Sequence, residues 1–252
     1  MLFKKTISER PVQTIGVTAL LLILSLILYV VVKELAGFGP AQNITFIWGL
    51  AGGSFFLASF VFGYFNTNAN GSSYLTLPAS CLEKWLCGIL ICILFAVIFL
   101  VFYHLIDVAF VAAYHNGLDK TSLFYKEQYE SVTTFDLNYR IAWRVYSISL
   151  MITGAMLTGA LYFNKGAIIK TAISICIIFM GLFGLNWLIA ESFFGDIANA
   201  GVYHHVSLHL GNEEAILLLP SSTQDFFLYS TFWIIPSILW VLPLLRLKEK
   251  EF

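Results

Sequence analysis

The spacing of the charged residues limits this chain more than any other feature of its sequence. Five stretches of 20 or 22 residues contain no Asp, Glu, Lys or Arg, namely 11–32, 85–106, 145–164, 171–190 and 226–245. An α-helix needs about 20 mostly apolar residues to cross the hydrocarbon core of a bilayer. A sixth apolar run, 44–65, lies inside the longer uncharged stretch 35–82. The sequence therefore predicts six membrane spans.

Composition agrees with lipid as the main solvent. The chain is 59% hydrophobic and 12% charged, whereas soluble domains contain about 25% charged residues. Its net charge of −1 argues against a nucleic-acid partner, since phosphate binding needs a basic surface. In lipid, each span must pair its own backbone groups, so the spans are predicted to be helices.

The predicted fold is an all-α bundle that forms a single transmembrane domain over residues 1–252. Its six spans are predicted at about 14–32, 44–65, 85–106, 145–164, 171–190 and 226–245. Lys and Arg cluster near both ends of the chain, and 191–225 contains neither. Because basic residues favour the cytoplasmic side, we expect both termini there. This topology predicts a multi-pass protein of the cytoplasmic (inner) membrane, with a cytoplasmic loop at 66–84 and outer segments at 115–139 and 191–225.

The cytoplasmic loop has features of a structured segment. Pro78 disfavours helix at the residue before it. Ser80 is followed three residues later by Glu83, a spacing typical of a capping box. We therefore expect a helix to begin near Cys81 and to continue into the third span. The loop is either a plain helix entry at the membrane surface or a docking surface for a partner.

The segment Tyr74-Leu-Thr-Leu-Pro-Ala-Ser-Cys-Leu-Glu-Lys84 resembles the corresponding loop of permease subunits of type-2 ABC exporters, in a Bacteroidetes-like branch. The resemblance implies that the loop contacts a separate ATPase subunit, which binds and hydrolyses ATP. It also implies a homodimer, or a heterodimer with a similar permease. The short lead 1–13 departs from the longer amphipathic helix usual in that family. The implied ATPase-coupling residues are Leu77, Pro78, Ser80, Glu83 and Lys84.

Two charged residues close to the ends of spans suggest a polar pair. Asp107 follows the third span, and Arg144 precedes the fourth. Charges at such depth usually pair with each other or line a polar cavity. We expect an Asp107–Arg144 pair that braces the outer half of the bundle, with a role in substrate gating as the alternative.

Histidines in the last outer segment suggest two further interpretations. His205 and His209 are four residues apart and would share one face of a helix, as zinc ligands can, with Glu213 or Glu214 nearby. The alternative is a helical cap at the membrane surface that binds no metal, and this is what we expect.

Small residues at a regular spacing predict close contacts between helices. Gly49 and Gly53 in the second span, and Ala155 and Gly159 in the fourth, have the small-xxx-small spacing that allows helices to approach closely in lipid. These residues indicate packing within the chain or, alternatively, a dimer interface.

The chain contains no nucleotide-binding motif and no HExxH metalloprotease motif. We therefore expect no enzymatic activity and no cofactor in this chain, with ATP used by the partner. The predicted function is that of an ABC exporter permease. A non-transporting membrane scaffold or sensor subunit is the alternative, and an intramembrane enzyme is the third.

Overall fold

The computed structural model describes residues 15–63, 79–163, 165–195, 197–201, 205–210, 213–218 and 220–250. The helices, in chain order, are α1 (Val17–Ala36), α2 (Phe38–Val61), α3 (Cys81–Gly117), α4 (Tyr125–Ser131), α5 (Arg140–Tyr162), α6 (Ala167–Phe194) and α7 (Ser221–Lys250). Each of α2 and α7 contains one wider π-helical turn, at Trp48–Gly52 and Ser230–Ile234. The strands are β1 (Ile197–Gly201), β2 (His205–Leu210) and β3 (Glu213–Leu218).

Six helices in the described part of the chain are long and apolar enough to cross a membrane: α1, α2, α3, α5, α6 and α7. Each predicted span overlaps one of them, which indicates a multi-pass membrane protein. Helix α3 has 37 residues and is therefore about 55 Å long. This length exceeds a hydrocarbon core of about 30 Å, so α3 continues beyond the membrane.

The bundle has two ends, which we call proximal and distal. The proximal end is where α3 begins and α7 ends, and the distal end is where α3 ends and α5 begins. Gly37, with a positive φ of 88°, forms the tight distal turn from α1 to α2, a conformation that glycine adopts without steric cost. The predicted topology would place the proximal end in the cytoplasm.

Among the described residues, two clusters of buried side chains form the core of the helix bundle. The distal cluster joins α1, α2, α3 and α5 and is rich in aromatic rings, among them Tyr29, Phe46, Phe95, Phe99 and Tyr103. The proximal cluster joins α2, α3, α5, α6 and α7 through residues that include Ala58, Cys92, Met156, Ala167 and Leu247. Helices α1 and α6 add few buried residues, and most of their apolar surface faces outward.

The glycines of α2 form a groove for two rings of α3. A Cβ atom added at Gly49 would lie 2.4 Å from the Phe99 ring, and one added at Gly53 would lie 2.7 Å from the Phe95 ring. Only glycine allows such a close approach of the α2 backbone to these rings. The interpretation of this pair as packing within the chain is confirmed.

A similar contact joins α5 to α6. A Cβ atom added at Gly159 would lie 1.9 Å from Thr171 Oγ1 and 2.9 Å from Thr171 Cβ. Rotation of the threonine side chain cannot move its Cβ atom, so the two helices would have to separate.

We expect Gly159→Ala to lower the free energy of unfolding by about 1–2 kcal/mol through overpacking, even though alanine favours helix by about 1 kcal/mol. Gly184→Ala in α6 is the matched control, because no neighbouring atom of the described residues lies within 4 Å of a Cβ added there. Thermal unfolding of the purified protein in detergent measures both variants. Equal losses in the two variants would contradict the close α5–α6 contact.

The segment 191–225 contains an antiparallel sheet in the order β1-β2-β3. The helix expected around His205 and His209 is therefore wrong, because both residues lie in β2. Residues 205–210 alternate between polar and apolar side chains, the period of a half-buried strand. Gly211-Asn212 between β2 and β3 is a typical hairpin sequence. This alternation carried more information than the four-residue spacing of the histidines.

The sheet is attached to the distal end of α6. Ala190 of α6 packs against Ile197 and Ala200 of β1. Asn186 Nδ2 also donates a hydrogen bond to the backbone oxygen of Ala200, at 3.2 Å. The sheet therefore extends the last turns of α6 rather than forming a separate unit.

Candidate functional site

Helix α3 begins with the predicted capping box. The Glu83 N–H donates to Ser80 Oγ at 3.3 Å, and the Ser80 N–H donates to Glu83 Oε2 at 3.0 Å. These two bonds satisfy N–H groups that have no partner inside the helix. The capping box is confirmed, and α3 begins at Cys81.

The predicted coupling residues differ in exposure. Ser80 and Glu83 are exposed, as is Leu82 between them. Lys84 is only 1% exposed, so its side chain packs inside the bundle and is withdrawn from the surface that a partner would contact. Leu77 and Pro78 lie outside the described residues. The described surface at the start of α3 is therefore formed by Ser80, Leu82 and Glu83.

Two tryptophans connect this surface to other helices. The Trp85 Nε1–H of α3 donates to the backbone oxygen of Trp240 in α7, at 2.8 Å. The Trp240 Nε1–H donates in turn to the backbone oxygen of Leu150 in α5, also at 2.8 Å. In a low-dielectric interior such bonds hold helices in register. The two bonds join α3 to α7 and α7 to α5.

At the distal end, Asp107 is completely buried and is surrounded by hydrogen-bond donors. Its Oδ1 accepts from the Tyr29 hydroxyl of α1 and from Gln42 Nε2 of α2, each at 2.8 Å. Its Oδ2 accepts from the backbone N–H of Phe135, at 2.6 Å. In all three hydrogen bonds the partner donates and a carboxylate oxygen of Asp107 accepts. Asp107 thereby joins α1, α2 and α3 to the segment between α4 and α5.

Gln42 has a second role in the same cluster. Its Nε2 also donates to the backbone oxygen of Thr133 at 2.8 Å, while the Tyr103 hydroxyl donates to the backbone oxygen of Gln42 at 3.0 Å. The cluster is therefore a connected network in which each named polar group has a partner. Such networks fix one arrangement of the surrounding elements.

The expected Asp107–Arg144 pair is not formed in the described part of the chain. Arg144 is exposed on α5, whereas Ala142 and Val145 form the buried face of that helix. Positions two residues apart on a helix point about 200° apart, so Arg144 is directed away from the core. Asp107 is stabilised by neutral donors in place of the arginine.

Tyr29 and Gln42 were not predicted as site residues. Gln42 precedes the predicted second span at 44–65, and tyrosines are common near membrane interfaces. The only sequence signal was the presence of an amide and a phenol close to the distal ends of apolar runs. Their proximity to Asp107 depends on how three helices pack.

The segment between α3 and α4 begins with a turn at Asp119. Thr121 donates its backbone N–H and its hydroxyl to Asp119 Oδ1, at 2.9 and 2.7 Å. These two hydrogen bonds hold the pKa of the Asp119 carboxyl below its ordinary value. The turn redirects the chain into α4, which returns it towards the bundle.

The strand geometry also bears on metal binding by His205 and His209. Four residues of a strand cover about 13 Å. At that separation of their Cα atoms, the two histidines are too far apart to bind the same tetrahedral zinc ion. In the sheet, His205 pairs with Leu218 and His209 with Glu214. The described residues contain no group of three His, Cys, Asp or Glu side chains arranged to hold a metal ion.

The described residues therefore contain two structured polar sites, one at each end of the bundle. The proximal site is an exposed, capped helix start that is tied to two other helices. The distal site is a buried carboxylate network. No protein-family profile, curated protein or solved structure matches the chain.

Proposed function

We propose that this chain is the membrane-spanning permease subunit of an ABC-type exporter, driven by a separate ATPase subunit. Two copies, or one copy and a similar permease, would form the translocation pathway. The observation that carries the proposal is the exposed, capped start of α3 at Ser80–Glu83, followed directly by Trp85, which bonds to α7. Helix α7 is bonded in turn to α5.

The proximal surface fits the part that couples to the ATPase. Leu82 supplies an exposed apolar contact and Glu83 a charge next to it. Because Trp85 anchors the same helix turn to α7, force applied at this surface would move three helices together. ATP binding and hydrolysis would take place in the partner, and this chain would carry out no covalent chemistry.

The exposed helices support a dimer. The buried residues of α6 are Ala167, Thr171 and Ala190, close to its two ends, and those of α1 are Ser25 and Tyr29. Long apolar faces of both helices are left for lipid and for a second permease chain.

We expect an ABC ATPase to be recovered with the affinity-tagged chain from native membranes, identified by mass spectrometry and ATP binding. Glu83→Lys, and Leu77→Ala combined with Pro78→Ala, should reduce the recovered ATPase by about tenfold, which corresponds to about 1.4 kcal/mol. Glu83→Gln keeps the capping geometry and removes only the charge. Glu127→Lys, at an exposed position of α4, is the control for charge reversal away from the proposed docking surface.

The experiment tests the docking site and the permease function separately. Normal ATPase recovery with both sets of proximal variants would overturn the docking site. Absence of an ATPase from the wild-type complex would overturn the permease function and favour the non-transporting scaffold or sensor subunit.

A further inference from the structure

We propose that residues 132–135, which we call the strap, form a latch that closes the distal end of the bundle, with the Asp107 carboxylate as its fastening point. This inference does not depend on the proposed function. It follows from the way in which side chains of α2 and α3 hold the backbone of an extended segment.

The strap follows α4 and has neither helical nor strand structure. Its backbone N–H and C=O groups therefore need partners elsewhere once they are removed from water. Side chains supply three of them: Asp107 accepts the Phe135 N–H, Gln42 donates to the Thr133 oxygen, and His115 Nε2 approaches the Val132 oxygen at 2.9 Å.

His115 holds the beginning of the strap. Its Nε2 lies 2.9 Å from the Val132 oxygen and 3.2 Å from the Tyr129 oxygen. Since a carbonyl oxygen only accepts, this nitrogen carries the proton and donates. The imidazole ring also stacks on the Tyr129 ring, with centroids 3.9 Å apart. The last turn of α3 is thus attached to the end of α4.

The Phe135 side chain anchors the other end of the strap. Its ring packs against Phe46 of α2, with centroids 4.8 Å apart, and against Tyr103 of α3, at 5.7 Å. Polar and apolar contacts therefore act at the same residue, because the Phe135 backbone is bound by Asp107 while its ring enters the distal core.

The strap cannot leave the bundle without breaking a hydrogen bond to Asp107. Asp107 Oδ2 accepts its hydrogen bond from the strap itself, so removal of the strap leaves a buried carboxylate oxygen without this partner. A buried charge that loses a hydrogen bond is strongly unfavourable. The strap therefore remains closed until another donor, such as water, takes its place at Asp107. A cation site is a poorer interpretation, because the partners of the carboxylate are donors.

Hydrogen exchange of the full-length protein in lipid nanodiscs, followed by mass spectrometry on peptides covering 132–137, tests the latch. We expect Asp107→Asn to increase exchange at the Phe135 amide by about 10- to 100-fold, the range for a lost charge-assisted hydrogen bond. Asparagine has one oxygen and one NH2 group. With NH2 at the Oδ2 position the Phe135 N–H loses its acceptor, and with NH2 at the Oδ1 position the asparagine meets Gln42 Nε2, the group that holds Thr133 of the strap. Peptides from the proximal half of α5 should exchange as in the wild type.

Asp136→Asn is the matched control, since it is the same chemical change at an exposed neighbour on the chain. It retains the oxygen that accepts from the Asn138 N–H and should leave Phe135 exchange unchanged. His115→Phe provides a second variant that does not touch Asp107 and keeps an aromatic ring for Tyr129. It should accelerate exchange in the strap by about 2- to 10-fold.

The latch is wrong if Phe135 exchanges as slowly in both Asp107→Asn and His115→Phe as in the wild type. It is also wrong if Asp136→Asn accelerates exchange as much as Asp107→Asn, because the effect would then not depend on the buried carboxylate.

Discussion

Asp107→Leu is expected to reduce the free energy of unfolding by about 3 kcal/mol or more, since a buried donor left without a partner costs about 1–3 kcal/mol. The Tyr29 hydroxyl and the Phe135 N–H would lose the acceptor to which they are bound. Gln42 would keep its second bond, to Thr133, and so would lose less. Leucine has a similar volume to aspartate and leaves no cavity. The decrease in the free energy of unfolding therefore measures the cost of leaving the donors without an acceptor. Thermal unfolding in detergent measures it.

A double-mutant cycle with Tyr29→Phe separates this mechanism from a general loss of packing. In the wild-type background, Tyr29→Phe removes a donor from the carboxylate and should be destabilising. In the Asp107→Leu background it removes a hydroxyl that has no partner and should be neutral or stabilising, because apolar replacement of both partners avoids the desolvation cost. Asp136→Leu, at an exposed carboxylate, is the control. A stability of Asp107→Leu equal to that of the wild type would refute the network.

Gly49→Val is expected to cost about 2–3 kcal/mol, towards the upper part of the usual range for overpacking. A Cβ atom at this position would lie 2.4 Å from Phe99 Cε2 and Cζ, and 3.0 Å from Ser25 Oγ of α1. Phe99 is 1% exposed and stacks between Phe95 and Tyr103, so its ring has little room to move. The added side chain would force α1, α2 and α3 apart.

Gly52→Val is the matched control for this substitution. Gly52 lies in the same π-helical turn as Gly49, but its added Cβ atom would meet only Trp48 Cε3, at 3.6 Å, an ordinary van der Waals distance. Both changes have the same intrinsic effect on the helix. The difference between their unfolding temperatures therefore measures the cost of the clash with the phenylalanine rings in the groove. Phe99→Leu should recover part of the loss in Gly49→Val. Equal unfolding temperatures for Gly49→Val and Gly52→Val would show that the rings do not occupy the groove.

The local features of the chain were readable from its sequence because each depends on residues that are close together in the chain. The charge-free runs predict six helices, since a lipid core excludes charges and unpaired backbone groups. Ser80 and Glu83 predict the capping box because the interaction spans three residues. The Gly49–Gly53 spacing predicts a close helix contact for the same reason, without naming the helix that provides it.

The sheet at 197–218 was not predicted, because its sequence pattern fits two structures. The alternation at 205–210 was present in the sequence, but two histidines four residues apart fit a helix as well as a strand. Pairing with β1 and β3 decided between them, because a strand is stable only when neighbouring strands satisfy its backbone.

By itself, the sequence determined that this chain forms six apolar helices and that the third begins at a capped turn. Only the tertiary structure decided the partners of Asp107, which come from positions 78 and 65 residues away in the chain and from the strap. The reason is that a buried carboxylate requires donors but does not specify which ones. The packing of α1, α2 and α3 places Tyr29 and Gln42 beside it, while the helical phase of α5 turns Arg144 outward.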